Sequence, residues 1–321
     1  AGYHCYRVTL VIYEDCQNGV PEAIASDNPA YLGVYEAGAP FKYVRADSVQ
    51  FASSVPVPAN FNNACVTNVP VTCLLKKTFI IRYAFKPNAF GYIINSQRCC
   101  RNNAVMNINN PGNTGSTYFC YIPPPPIHNN SAVFKNYPPQ IICQNNPLFY
   151  DHSAIDADGD SLSYSFGPAF LGATDADIKP WPPASPPFDT VSYKGGYNSK
   201  HPFPGYPLIQ IDSKTGLITG TPNSIGRYLV TVYCNEYRDG LLINTVTREF
   251  QFVVTNCSKV VVADVPMFSN EPNTYVVNCT DFNVHFVNNS KGGFAYHWDF
   301  GVPNTTTDVS TEKEPTFTYP D

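Results

Sequence analysis

Charge is scarce in this chain. Of its 321 residues only 14% are Asp, Glu, Lys or Arg, and the balance is acidic, with 20 basic against 25 acidic side chains and a net charge of -5. Nucleic acids and anionic membrane surfaces are recognised by clustered Lys and Arg, so neither is an expected partner. Long apolar runs are missing too: no segment approaches the roughly 20 apolar residues of a bilayer-spanning helix. Helical periodicity is equally thin, with no stretch of a dozen residues carrying a clean 3.6-residue apolar repeat. The sequence has no H-E-x-x-H, no G-x-S-x-G, no phosphate-binding loop and no dinucleotide-binding glycine pattern. Its six histidines, His4, His128, His152, His201, His285 and His297, are scattered. No enzymatic activity is therefore expected, and no catalytic residue is nominated. Structural zinc is disfavoured, since there is no C-x-x-C and no finger-like Cys/His spacing.

The chain is instead rich in cysteine, proline and aromatic residues: 11 Cys, 30 Pro, 22 Tyr and 21 Phe. A reducing cytosol would leave so many cysteines as free thiols, whereas an oxidising compartment turns them into cross-links. An extracellular protein is expected, with Cys5, Cys16, Cys65, Cys73, Cys99, Cys100, Cys120, Cys143, Cys234 and Cys257 in disulfides and Cys279 as the eleventh. Adjacent residues of a strand point to opposite faces. Cys99 and Cys100 are therefore each expected to bond elsewhere, with Cys5, Cys16, Cys65, Cys73 or Cys120 as candidates. Cys143, Cys234 and Cys257 are expected to form a set of their own. The sequence starts at Ala1 with neither Met nor an apolar leader, as a processed chain or an excised piece would.

Strand signals dominate. Tyr6–Tyr13, Thr78–Phe85, Ser161–Phe166, Arg227–Cys234 and Thr247–Val254 alternate with period two, and Asp239-Gly240, Thr215-Gly216, Asn110-Pro111-Gly112 and Gly195-Gly196 supply turns between strands. Many short strands at this spacing predict an all-β fold of tandem β-sandwiches. The clearest boundary is Pro123–Pro126, where polyproline II at about 3.1 Å per residue gives a stiff spacer of roughly 12 Å. A second boundary follows Cys257. The expected domains are 1–122, an Ig-like sandwich; 123–126, a linker; 127–257, a second sandwich; and 258–321. The proline-rich segment Lys179–Phe188 reads as a long ordered loop of the middle domain packed around Trp181.

One local pattern carries chemistry. Asp156, Asp158 and Asp160 put three carboxylates within five residues around Gly159, and a hard, oxygen-seeking cation such as Ca²⁺ relieves their repulsion. The spacing begins like an EF-hand loop, but Gly167 stands where the twelfth-position Glu belongs, which excludes that motif. A loop site in a β-domain remains, with Glu236 and Asp151 as further ligands from neighbouring strands. Ca²⁺ is the one expected cofactor.

Three segments resemble known extracellular modules. Phe286–Ser290, then Tyr296-His297-Trp298-Asp299-Phe300-Gly301, then Pro315–Tyr319 resembles a PKD domain, with Gly301-Val302-Pro303 replacing the family's Gly-Asp-Gly and the chain stopping before a closing strand. Asp156–Tyr164, Ile211–Pro222 and Gly226–Val232 resemble the cadherin-like, Ig-like modules of bacterial surface proteins. The first domain, with its Tyr-rich strands, Asp15-Cys16 and Gln97–Asn103, is similar to the Ig-like region that precedes them. Together these point to the PKD-containing, gliding-motility-associated surface proteins of Bacteroidetes exported by the type IX system. The resemblance implies O-glycosylation at Asp-Ser/Thr-apolar triplets, hence at Ser48 and Thr190. It also implies an extracellular, cell-surface structural or adhesive protein, whose partners are neighbouring modules or, in a surface filament, copies of itself. The alternative is a carbohydrate-binding accessory region of a secreted hydrolase, with surface glycans as partners.

Overall fold

The computed structural model describes residues 2–16, 21–58, 66–67, 73–259, 263–265, 282–290, 293 and 295–320. Among these the fold is largely β, built of several small sheets, most of them antiparallel. Among the described residues helix is confined to Pro21–Ser26 and one 3-10 turn, Pro111–Asn113. All five strands expected from period-two alternation are present, lying within His4–Asp15, Leu74–Phe85, Ser161–Phe166, Gly226–Arg238 and Leu241–Thr255. The chain divides into two compact units, residues 1–62 with 70–256, and residues 63–69 with 257–321.

In the first unit, His4–Asp15 runs antiparallel to Leu74–Phe85 from His4 opposite Phe85 to Asp15 opposite Leu74. Phe51–Pro56 pairs on the other side of Leu74–Phe85. A second sheet has the order Lys42–Val49, Ala30–Glu36, Tyr92–Arg98, Ser116–Ile122. Inward residues of both sheets share one core: Ile12, Phe79, Tyr83 and Phe85 from the first, Leu32, Val34, Ile94 and Ile122 from the second. Further along, Ile141–Cys143, Leu241–Thr255, Gly226–Arg238 and Ser161–Phe166 form a four-stranded sheet. Its core gathers Ile142, Leu148, Tyr150, Tyr164, Ile218, Tyr228, Val230 and Phe252. The hairpin between its two longest strands turns at Asp239-Gly240, with φ of 52° and 77°. Two successive positive φ values are what a two-residue turn of matching twist demands.

The two cores are interlocked by side chains from the segment after Arg98. Val105 and Ile108 pack with Ala169, Val191 and Leu229. Asn107, fully buried, donates to the carbonyls of Pro202 and Leu229 at 2.8 Å and accepts from the Leu229 amide at 2.9 Å. Arg101 forks onto Glu249, with Nε–Oε1 at 3.0 Å and Nη2–Oε2 at 2.7 Å, and also donates to the Gly115 and Phe170 carbonyls.

The proline-rich loop lies somewhere other than expected. It covers the outer, polar face of the sheet holding Ala30–Glu36 and Tyr92–Arg98. Proline has no N–H, so the loop docks mainly through carbonyls: Pro183 accepts from the Tyr35 hydroxyl and Ala184 from Asn95 Nδ2 at 2.7 Å, while the Ala184 amide donates to Gln97 at 2.8 Å. Trp181 is not its packing centre; it stands 53% exposed, edge-on to Tyr31 at 4.8 Å. The four-proline run also bends, with the Ile127 amide donating to the Pro124 carbonyl at 3.1 Å.

The cysteines correct part of the expected framework. Cys16 bonds Cys73, but Cys99 and Cys100 bond each other. The strand ends at Arg98, so the alternation of faces does not reach them; their peptide is cis and their Cα atoms are 3.0 Å apart. Cys5, Cys120 and Cys234 are free thiols rather than disulfides. Their positions explain this: Cys5 is exposed opposite Ala84, Cys120 lies opposite Ile94 and Cys234 is sealed in the core opposite Tyr164 and Val246. Cys143 and Cys257 are each disulfide-bonded. Cys65 and Cys279 lie outside the described residues.

In the second unit, Asn283–His285 pairs with Thr316–Thr318, and Trp298–Asp299 with Val309–Ser310. Val284, Phe286 and Phe300 form its core, with Trp298, Phe317 and Tyr319 packed against them.

Candidate functional site

The loop after Ala154–Ile155 is shaped by its own first carboxylate. Asp156 Oδ1 accepts the amides of Asp158 and Asp160 at 2.9 and 3.0 Å, folding the chain back on itself. Gly159 takes φ +82° there, a conformation that L side chains rarely adopt. Asp158 turns towards Asn130, accepting both its amide and its Nδ2, the latter at 2.9 Å. These bonds, with a smaller contribution from Arg238, hold its carboxyl below the ordinary range. Ser161 lies opposite Tyr237, which brings Arg238 beside Asp160. The guanidinium grips Asp160 in a fork, Nε–Oδ1 and Nη2–Oδ2 both 2.7 Å, and stands 3.6 Å from Asp158 Oδ2.

One oxygen from each of Asp156, Asp158 and Asp160 lies within 4.8 Å of the others. Ligands on opposite sides of a calcium ion, each bonded at 2.3–2.6 Å, are about 4.6–5.2 Å apart, so the span suits a divalent cation of that size. Asp156 Oδ2 is sealed from solvent without a hydrogen-bond partner, a ligand atom in need of a positive charge. The triad could therefore hold a divalent cation. Asp160 is already neutralised by Arg238, a basic residue that the local Asp spacing gave no sign of.

Glu236 does not join the group. It is fully buried, and its oxygens accept from Asn129 Nδ2 and the Ala132 amide, both at 2.6 Å, and from Asn244 Nδ2 at 3.0 Å. Asp151 is likewise engaged elsewhere, with the Ser153 amide at 2.9 Å and Asn136 Nδ2 at 3.1 Å, and the Ser153 bonds lower its pKa. Ser48 and Thr190 are both exposed, Ser48 opposite Tyr31 and Thr190 in a single bridge to Phe170. No described helix is long and apolar enough to cross a membrane. The chain matches no family model, no curated protein and no solved structure.

Proposed function

We propose that this chain is an extracellular structural and adhesive module of a bacterial surface, built to bear tension along its length. The observation that supports this best is the parallel pairing of Ile141–Cys143 with the end of Leu241–Thr255, Ile141 opposite Val253 and Cys143 opposite Thr255, extended by the Gln144 amide on the Thr255 carbonyl at 2.9 Å. A parallel pair held at the start of one strand and at the end of the other is pulled in opposite senses along its length, so its hydrogen bonds shear together instead of opening one at a time. The Cys16–Cys73 bond fastens another long strand pair in the same unit.

The resemblance to PKD-containing, gliding-motility-associated surface proteins belongs to this reading. It is supported by the second unit, whose core is made from the motif aromatics and whose motif residue Asn288 is buried, holding the Lys313 carbonyl at 2.9 Å and the Ser290 amide at 2.9 Å. Ca²⁺ is the cation proposed for the Asp156 loop, and O-glycans for Ser48 and Thr190. A carbohydrate-binding role is the second reading, favoured by the exposure of Trp181 against Tyr31.

Single-molecule stretching tests the mechanical reading. Handles at Gln140 and Asn256 should load the parallel pair in shear and give a markedly higher rupture force than handles at Gln140 and Gly240, which peel it. Equal forces would refute the reading. For the cation, excess chelator should lower the melting temperature and Asp158→Ala should abolish that sensitivity; a melting curve indifferent to chelator refutes Ca²⁺. Negative-stain images of native material separate filament from monomer.

A further inference from the structure

Two charged residues occupy inward positions on the first pair of strands. Glu14 is in phase with Leu10 and Ile12, and Lys77 with Phe79; Lys77 lies opposite Ile12 and Glu14 opposite Leu75, which makes Glu14 and Lys77 diagonal neighbours on the core face. Glu14, Lys77 and nearby Asp27 are 3%, 8% and 4% exposed. Lys77 Nζ is 2.6 Å from Glu14 Oε1. Both Glu14 oxygens are sealed from solvent, and the Asp27 carboxyl lies against the Glu14 carboxyl, so the acid group sits between the Lys77 nitrogen and Asp27. The Ile24 carbonyl holds Lys77 Nζ from behind at 3.3 Å, and Arg98 Nη2 anchors Asp27 Oδ2 at 2.9 Å.

We propose that Lys77 and Glu14 become covalently joined in the folded chain, by an amide between Lys77 Nζ and Glu14 Cδ, with Asp27 as the proton carrier. The step balances without any co-reactant. From the ammonium and the carboxylate, the Nζ–Cδ bond forms and one Cδ–O bond breaks; that oxygen departs as water with two of the three ammonium protons, and the third stays on the amide nitrogen. Asp27 relays protons from Nζ to the departing oxygen and ends in the state in which it began. Burial, opposed by Arg98 and reinforced by the Glu14 carboxylate, lifts the Asp27 pKa to about 6, where it can both hold and release a proton near neutrality.

Physical chemistry favours the reaction at this place. Groups fixed in contact react as if at effective concentrations of about 10⁵–10⁸ M when well oriented. The product removes two charges from an interior that penalises them, and the water escapes to solvent. The amide would tie the first strand to its neighbour one step inside Cys16–Cys73, so that the pair resists peeling even when the disulfide is reduced.

Mass spectrometry of the reduced, alkylated and digested full-length protein tests this. The expected product is a cross-linked pair of peptides carrying Glu14 and Lys77, lighter than their sum by one water. Lys77→Arg, which keeps a cation beside Glu14, and Asp27→Asn should both yield the two separate peptides at full mass. Separate peptides from the unaltered protein, or a water loss that maps to another pair, overturn the proposal; a cross-link that persists in Asp27→Asn overturns the role of Asp27.

Discussion

Replacing His152 with Phe should stabilise this protein, and far more in acid than at neutrality. The imidazole is fully buried, stacked on Phe250 at 5.3 Å, 4.5 Å from the Phe134 ring and edge-on to Tyr150 at 5.4 Å. Neither ring nitrogen has a hydrogen-bond partner. Burial first, then the Arg248 cation, pushes its pKa down to about 3, against weaker opposing pulls from the residue's own backbone and from Asp151. The unfolded chain titrates near 6.5. Between those values the unfolded state binds a proton that the folded state refuses, so the stability present above the unfolded pKa drains away as pH falls. From pH 7 to pH 4.5 the loss is about 2.5 kcal/mol for this one group. Phenylalanine has no proton to take up and no nitrogen to leave unsatisfied, which adds about 1–3 kcal/mol at any pH, less about 1 kcal/mol for fitting the larger ring. Urea unfolding of both proteins at the two pH values, disulfides intact, measures the difference directly because all other titrations cancel. The same gain at pH 4.5 as at pH 7 would refute the argument.

Arg101→Met should destabilise by about 3–5 kcal/mol in urea unfolding, because it strands the Glu249 carboxylate in a largely buried site; adding Glu249→Leu should recover most of the loss. Asn107→Ala should cost about 2–4 kcal/mol, since the Pro202 and Leu229 carbonyls and the Leu229 amide all lose their partner in the interior. In native protein a maleimide should label Cys5 rapidly. Cys234, whose thiol burial pushes up to about 12, should react only after unfolding, as peptide mapping at each position will show.

The strands were legible because their signal is local. Period-two alternation needs no knowledge of the partner, and Asp239-Gly240 announces a hairpin through backbone preferences of two residues alone. The interlock between the two cores was not legible. Arg101 and Asn107 sit in a polar, turn-rich stretch that reads as solvated loop, and their partners lie 148 and 122 residues away. Burial of such groups is decided by whether distant donors and acceptors meet them, which no window of sequence contains. The proline-rich loop failed for a related reason. Its composition shows a segment short of donors, and therefore in need of a face offering donor side chains. That the face would be the one bearing Tyr35, Asn95 and Gln97 depends on topology. Alternation of faces would separate Cys99 from Cys100 only inside a strand, and the strand stops one residue earlier, at Arg98.

The acidic loop and the buried Glu14–Lys77 pair show the same limit from opposite sides. Asp156, Asp158 and Asp160 are drawn together by five residues of chain, so their proximity could be read directly, whereas Arg238, 78 residues on, could not. Glu14 and Lys77 each left a trace in the sequence as a charge falling in the apolar phase of a strand. Taken singly, such a residue implies an error of register or a partner, since an unpaired charge on a core face is too costly to persist. Two of them on strands that prove to be neighbours resolve each other once the register places Ile12 opposite Lys77. Asp27, which enters from a different segment beside the Pro21–Ser26 helix, then turns a compensated pair into a set of three with a nucleophile, an electrophilic carboxyl and a proton carrier. In a β-rich chain, charges that break the alternation are therefore the positions from which chemistry beyond packing should first be sought.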